Sequence, residues 1–378
     1  MRNVKVAGVG LIKVTEYWDR SIQSLFAEAS LKAIKDAGVE NIDKVYVSNM
    51  SAALMQEQLN LAAVMTDTLG KPGLPGTRIE AGSASGGIAF HEAVQSVASG
   101  YSDAVLVTGV EKMSDILPEV VTTSLTMTEE QEYTSYTGVT KAGVAAMIHR
   151  LYMSLYASPE DICMMAVKSH EHAVGCKHAQ YPFKMSIERA MSSPMEADPI
   201  HMMECSGIGD GAAAIVLVPS DGDGVEVAGT AVSTDYTNIA LRPDPLEMNA
   251  IKTASENAYR MANVKVSDID LAEVHDDFTI NGIFGIEGLG LAKTGEGTKL
   301  VTNGDTDKDG KLPINTFGGL KARGNPIGAT GIYQLSEIAL QLQGKAGDHQ
   351  VNNAEVGVAL NSGGMASVCA VNVLRRLR

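Results

Sequence analysis

Gly318-Gly319-Leu320-Lys321-Ala322-Arg323-Gly324-Asn325-Pro326-Ile327-Gly328-Ala329-Thr330-Gly331 is the stretch that decides how this chain is read. It is a run of glycines, a proline and small residues. It ends where Gly331-Ile332 opens a helix leading to the apolar strand Val356-Gly357-Val358-Ala359-Leu360. The same order occurs earlier. Gly86-Gly87-Ile88 opens a helix in which Ala89, Ala93 and Val97 recur at helical spacing, and Ala104-Val105-Leu106-Val107-Thr108 follows as a strand. A second pair aligns with a two-residue insertion. Ala29 to Val47 is an Ala-rich helix followed by Ile42-Asp43 and the strand Val45-Tyr46-Val47, while Ala254 to Val274 repeats that order through Ile269-Asp270 to Glu273-Val274. Helix and strand alternate in both copies, which predicts parallel sheets with crossover helices and two related α/β halves packed together.

The segment 115–205 breaks this pattern. It is rich in Met, Thr, Ser and Glu, and Ser158-Pro159-Glu160-Asp161 predicts a capped helix start within it. The expected organisation is an N-terminal half of residues 1–114 plus 206–222, an inserted loop domain of 115–205, and a C-terminal half of 223–378. Asp221-Gly222-Asp223-Gly224 marks the junction.

Composition narrows the class. The chain has 378 residues, 45% hydrophobic and 20% charged, as expected for a globular protein with a sizeable core. No apolar run reaches membrane-spanning length, the first residues form no signal peptide, and the last form no peroxisomal address. A net charge of −15 argues against nucleic acid as a partner. Cys163, Cys176, Cys205 and Cys369 form no CxxC pair, which suits reduced thiols and a cytoplasmic location.

The Gly318–Gly331 run resembles the GGLxxxGHPxGATG signature of the thiolase superfamily, with Asn325 where the family carries a catalytic His. Other stretches resemble the archaeal and sterol-carrier-type branch. Glu80-Ala81-Gly82-Ser83-Ala84-Ser85-Gly86-Gly87 is similar to the EAACASGG nucleophile turn, and Asp210-Gly211-Ala212-Ala213-Ala214 to the strand closing the first half. Glu273-Val274-His275-Asp276-Asp277-Phe278 is similar to EVHDCF, and Asn361-Ser362-Gly363-Gly364 to the last glycine loop. The resemblance implies a five-layered α-β-α-β-α thiolase fold, usually at least dimeric, and a CoA thioester substrate with no permanently bound cofactor. It also implies acyl-CoA chemistry that makes or cleaves a carbon–carbon bond beside the thioester. Members of the branch act on acetoacetyl-, 3-oxoacyl-, sterol-derived and aryl-oxo thioesters, many with a small zinc-ribbon and OB-fold partner protein.

By resemblance, the site comprises Ser83, His275, Asp277 and Asn325 with the backbone of Gly363 and Gly364. Its chemistry differs from the family pattern at three positions. Ser83 stands where the thiol nucleophile belongs, and an alcohol is far harder to ionise than a thiol of pKa about 8.5. The base for that role is replaced by Asn325, which donates hydrogen bonds but takes no proton at neutral pH. Asp277 replaces the Cys that serves as acid/base. His275 and Asp277 together form a carboxylate–imidazole pair suited to moving a proton without an acyl-enzyme, as in retro-aldol or retro-Claisen cleavage. Two alternatives stand beside this. One is a retro-aldolase acting on 3-hydroxyacyl-CoA. The other is a catalytically silent subunit that scaffolds an active paralogue or second thiolase-like subunit.

Three further signals are discounted. His170, His172, Cys176 and His178 are read as solvated polar residues of the helix capped by Ser158, with no metal. Asp305-Thr306-Asp307-Lys308-Asp309-Gly310 copies half of a calcium loop, yet its twelfth position is Thr316 rather than Glu. Met191, Met195, Met202 and Met203 are expected mainly as core filler, the other reading being the lining of an acyl pocket.

Overall fold

The computed structural model describes residues 2–377. The chain begins with β1 (Val4–Leu11), α1 (Ile22–Ala37), β2 (Lys44–Ser48), the short helices α2 (Ala52–Met55) and α3 (Leu61–Thr68), β3 (Gly76–Ile79), α4 (Ser85–Ala98) and β4 (Val105–Glu111). An excursion outside the sheet carries α5 (Pro118–Thr126), α6 (Lys141–Leu155), α7 (Pro159–Ala173), α8 (Ile187–Met191) and the ribbon β5 (Met195–Ala197) and β6 (Ile200–His201). β7 (Gly211–Pro219) returns to the sheet. β8 (Gly224–Thr234), α9 (Asn249–Ala262), β9 (Leu271–Glu273), α10 (Thr279–Gly288), α11 (Gly297–Thr302), α12 (Thr330–Leu342), β10 (Val356–Gly363) and β11 (Val368–Leu377) complete the chain.

The strands follow the order β3-β2-β4-β7-β1-β8-β11-β10-β9. Read outward from the middle, β1-β7-β4-β2 is matched by β8-β11-β10-β9. The pairing senses match too: β2 with β4 and β9 with β10 are parallel, whereas β4 with β7 and β10 with β11 are antiparallel. The sequence repeat is therefore a structural repeat. Its sheets are mixed, which corrects the expectation of parallel ones. β10 and β11 are joined by a short turn, and such a hairpin can only be antiparallel.

Five layers follow from where the apolar faces go. α1 packs on the outer face of the first sheet through Leu25, Phe26, Ala29 and Ala33, and α9 covers the second through Ala250, Ala254 and Ala258. Between the sheets lie α4 and α12, whose Phe90, Val94, Ile332 and Leu335 share one core with strands of both. α12 is buried on nearly every side, and part of its polar side-chain surface finds partners there. The Gln334 amide, for example, donates to the Leu360 carbonyl at 2.9 Å. At the point where the two central helices begin, a Cβ on Gly86 would lie 2.9 Å from the Gly331 Cα, so the halves meet backbone to backbone. In the excursion, Ser158 and Asp161 form the expected reciprocal cap at the start of α7.

Among the described residues, no helix is long and apolar enough to cross a membrane.

Candidate active site

Ser83 lies just before α4 in a turn tied by its neighbours. The Ser85 hydroxyl accepts from the Ala81 amide at 2.9 Å and donates to the Gly82 carbonyl at 2.5 Å. Ser83 itself is buried, and its hydroxyl has no hydrogen-bond partner among the described residues. A Cβ on Gly363 would stand 2.6 Å from the Ala81 carbonyl, so glycine there lets the end of β10 close against this turn. From the same strand, Asn361 clamps the site. Its Oδ1 accepts from the Gly87 amide at 2.8 Å, which aims its Nδ2 at the Ser83 carbonyl, 3.0 Å away, and at His275 Nδ1, 3.3 Å away.

That clamp fixes the His275 tautomer. Nδ1 faces a donor and serves as the acceptor, so the proton sits on Nε2. Nε2 has no hydrogen-bond partner among the described residues, and burial drives the imidazole pKa down to about 4, so the ring is neutral at pH 7. His275 is thus a preset N–H donor. Nε2 lies 4.0 Å from Asp277 Oδ2, beyond hydrogen-bond distance. The expected carboxylate–imidazole pair is therefore adjacent but not bonded.

The actual partner of Asp277 is Lys141, at the first turn of α6. Its ammonium lies 2.8 Å from Asp277 Oδ2, and both side chains are buried. Asn281 Nδ2 and the Phe278 amide donate to the other oxygen at 2.7 and 3.1 Å. Burial alone would raise the carboxyl pKa. The charge of Lys141, His275 and the Asn281 amide outweigh it and hold the group below the usual carboxylate range. Asn325 is oriented as firmly. Its Oδ1 accepts from the Thr330 hydroxyl at 2.6 Å, leaving Nδ2 to donate to Ser206 Oγ at 3.1 Å.

Lys141, Asp277, Asn325 and Ser206 line a cleft of about 480 Å³, whose other walls include Leu125, His170, Tyr181, Phe183, Met202, Met203, Cys205 and Phe278. Ser83, His275 and Gly363 are not among its lining residues, although His275 Nε2 stands 4.0 Å from Asp277 Oδ2. Gly364 faces a separate cavity of about 430 Å³ with Glu80, Gly82 and Thr128. Of the six predicted residues, Asp277 and Asn325 thus line the cleft, Gly364 lines the second cavity, and Ser83, His275 and Gly363 line neither.

Sequence reasoning missed Lys141 and Glu129. Glu129 follows α5, is buried with no hydrogen bond to either carboxylate oxygen among the described residues, and is pushed up by burial to about 7 against the nearby charges of Lys141 and Arg242. Nothing in the local pattern of this irregular segment points to either.

Other expectations are corrected. His170 and His172 are buried rather than solvated. His170 Nδ1 bonds the Phe183 carbonyl at 3.1 Å, and His172 Nδ1 bonds those of Ile314 and Asn315 at 3.1 and 3.2 Å. Met202 and Met203 line the cleft instead of filling the core, and Met195 is exposed. In the calcium-like loop Asp305 pairs with Lys311 at 2.9 Å and Asp307 with Lys168 at 2.6 Å. Among the described residues no three metal-ligating side chains converge.

Beneath the site runs a buried ionic cluster. Arg323 Nε lies 3.2 Å from Glu337 Oε1, and His178 Nε2 meets the same oxygen at 2.8 Å. Burial opposes charge on His178, but the neighbouring Cys176 and Glu337 outweigh it and lift its pKa from 6.5 to about 9. This histidine therefore contributes stability in full below pH 6.5 and loses it as pH rises through about 9. The expected loss is about 3 kcal/mol. Urea unfolding at pH 6.5 and 9.5 checks this: the decline should shrink in His178→Gln, and an equal decline in both proteins would reject the assignment.

Residues 9–221 match the family model of the thiolase N-terminal domain, and residues 231–376 that of the thiolase C-terminal domain-like fold. The chain belongs to the thiolase family; by class it is a thiolase-superfamily acyltransferase. It is 42% identical over 385 residues to an acetyl-CoA acetyltransferase of Methanothermobacter thermautotrophicus, covering 100% of both chains. It is 38% identical to the enzyme of the same name from Methanocaldococcus jannaschii, over 99% of each. Human sterol carrier protein 2 is 28% identical over 96% of this chain and 70% of its own. In fold, the chain superposes on an Ltp2-ChsH2(DUF35) aldolase with a TM-score of 0.86 at 21% identity, covering 99% of this chain and 98% of that one.

Proposed function

We propose that this chain makes or cleaves the carbon–carbon bond beside a coenzyme A thioester of the 3-oxoacyl type, with Asp277 moving the proton and no covalent acyl-enzyme. One observation carries the reading: an ionised, buried carboxylate stands at the wall of the cleft with preset donors, His275 Nε2–H and the Asn325 amide, nearby. The 42% identity to an acetyl-CoA acetyltransferase supports the reaction class.

In the condensing direction Asp277 takes a proton from the α-carbon of one acyl-CoA. The C–H electron pair moves into an enolate, whose oxygen is stabilised by the His275 and Asn325 donors. The enolate carbon attacks the carbonyl of a second thioester. The carbon–carbon bond forms, the carbon–sulfur bond breaks, and the departing CoA thiolate takes the proton from Asp277. Cleavage is the reverse. Ser83 forms no bond in this scheme, consistent with a hydroxyl that has no base bonded to it among the described residues.

That same lack of a base favours a second reading, aldol cleavage of a 3-hydroxyacyl-CoA. Here Asp277 takes the hydroxyl proton, the carbon–carbon bond breaks to release an aldehyde or ketone, and the enolate regains the proton at its α-carbon. Mass spectrometry of products from a panel of 3-oxo- and 3-hydroxyacyl-CoAs with free CoA separates the two. The panel is run with and without the proteins encoded beside this one, among them any small DUF35-type partner. Two shorter acyl-CoAs support the first reading, and an aldehyde or ketone plus an acyl-CoA supports the second. No product under any combination, with thioester still bound, makes the chain a binding or scaffolding subunit.

Ser83→Ala is expected to keep turnover within about twofold, since the scheme gives the hydroxyl no bond to form. A loss beyond about a hundredfold in steady-state assays would return Ser83 to the role of nucleophile.

A further inference from the structure

Lys321 is a cleft residue whose charge the scheme above leaves idle. It lies on the π-helical turn Gly319–Arg323, four residues before Asn325, and it lines the same cleft. Its side chain is buried, yet among the described residues no hydrogen bond or ion pair reaches its ammonium. The groups around it do not compensate. Asp276 is already held by the Leu320 amide at 2.6 Å and the Ser169 hydroxyl at 2.9 Å. The thiols of Cys163 and Cys205 are pushed up by burial and stay neutral. Glu196 lines the cleft as well but forms no ion pair with Lys321. The nearest stabilising contact is the Tyr181 ring, its centroid 5.7 Å from the ammonium.

With most of its side chain buried and no anion bonded to it, the ammonium is poorly compensated, and burial lowers its pKa. The other cation of this cleft, Lys141, is neutralised within the protein by Asp277 at 2.8 Å. Lys321 is left open among Tyr181, Phe183, Met202 and Met203, a wall that suits the carbon chain of an acyl group. A ligand carboxylate reaching Lys321 would supply the missing counter-charge through a charge-assisted hydrogen bond.

We propose that Lys321 anchors an anionic group on the acyl chain, so that the preferred substrates are CoA thioesters of dicarboxylic acids. This rests on the carbon–carbon reading above, because it treats the cleft as the acyl site. Lys321 shares this cleft with Asn325, whose amide the scheme above aims at the enolate oxygen. The phosphates of coenzyme A lie at the far end of the pantetheine arm.

Isothermal titration with fresh saturated thioesters, which have no 3-oxo or 3-hydroxy group to be cleaved, tests the proposal by affinity alone, so its failure is distinct from a failure to find turnover. Full-length protein is titrated with butyryl-CoA, succinyl-CoA, glutaryl-CoA and free CoA. The wild type should bind one of the dicarboxylic thioesters about ten- to a hundredfold more tightly than butyryl-CoA. Lys321→Met should erase that preference and leave butyryl-CoA binding unchanged. Equal wild-type affinities overturn the proposal. So does a variant that loses free CoA as severely as succinyl-CoA, since the lysine would then be holding a phosphate. If Lys321→Met does not fold, the wild-type ratio decides by itself.

Discussion

Asp277→Asn is expected to lower turnover by about 10²- to 10⁴-fold, the usual contribution of a positioned acid–base group, while thioester affinity changes little. The substitution preserves shape, and its remaining oxygen still accepts a hydrogen bond. What it removes is the ability to hold a proton between one bond breaking and the next forming. If the amide oxygen turns toward Lys141, the ammonium keeps an acceptor at its 2.8 Å position but loses its counter-charge, and the amide nitrogen faces the Asn281 and Phe278 donors, so some stability is lost as well. Single-turnover kinetics beside a thioester-binding assay separates the two quantities. Unchanged turnover would remove Asp277 from the mechanism, and an equal loss of binding would make it a structural residue.

The largest expected effect on stability comes from Arg323→Met. The guanidinium is fully buried, pairs with Glu337 at 3.2 Å and stands 4.8 Å from the centroid of the Tyr333 ring. Glu273 and Asp276 are buried nearby and both are raised by burial, Glu273 also by the charge of Glu337. Replacing a buried ion pair whole is often tolerated, but removing one member leaves the other uncompensated and costs about 3–5 kcal/mol. Here the carboxylate left behind faces further carboxyl groups, which places the expected loss toward the upper end. Denaturant unfolding would show it as a lower midpoint at constant slope. A change under about 1 kcal/mol would mean that His178 alone balances Glu337.

The sequence showed the fold through its repetition. Two helix–strand units occur twice in the same order, and the structure returns them as matched strand orders on either side of β1 and β8. Strand direction was not legible from alternation, because the antiparallel members follow a hairpin or come from distant segments. Around the site, the glycine motifs marked places where the structure packs backbone closely, Gly86 against Gly331 and Gly363 against the Ala81 carbonyl, since such approach leaves a mark in local sequence. Lys141 left none. It meets Asp277 across 136 positions from a segment without clear periodicity. The buried histidines of α7 were misjudged for a related reason. Their ring nitrogens bond backbone carbonyls supplied by later loops, and the identity of a residue does not announce such partners.

The two sheets share little backbone. β1 and β8 pair only through Lys5 with Glu226 and Val6 with Val225, whereas Asn361 of one half holds the amide of Gly87 and the carbonyl of Ser83 in the other. A single repeat could build its own sheet and cover it with its own helix, but it would have no place to do chemistry. The Ser83 turn would lack its clamp, and the clamp would have nothing to hold. Catalysis in such an architecture is a property of the doubling itself.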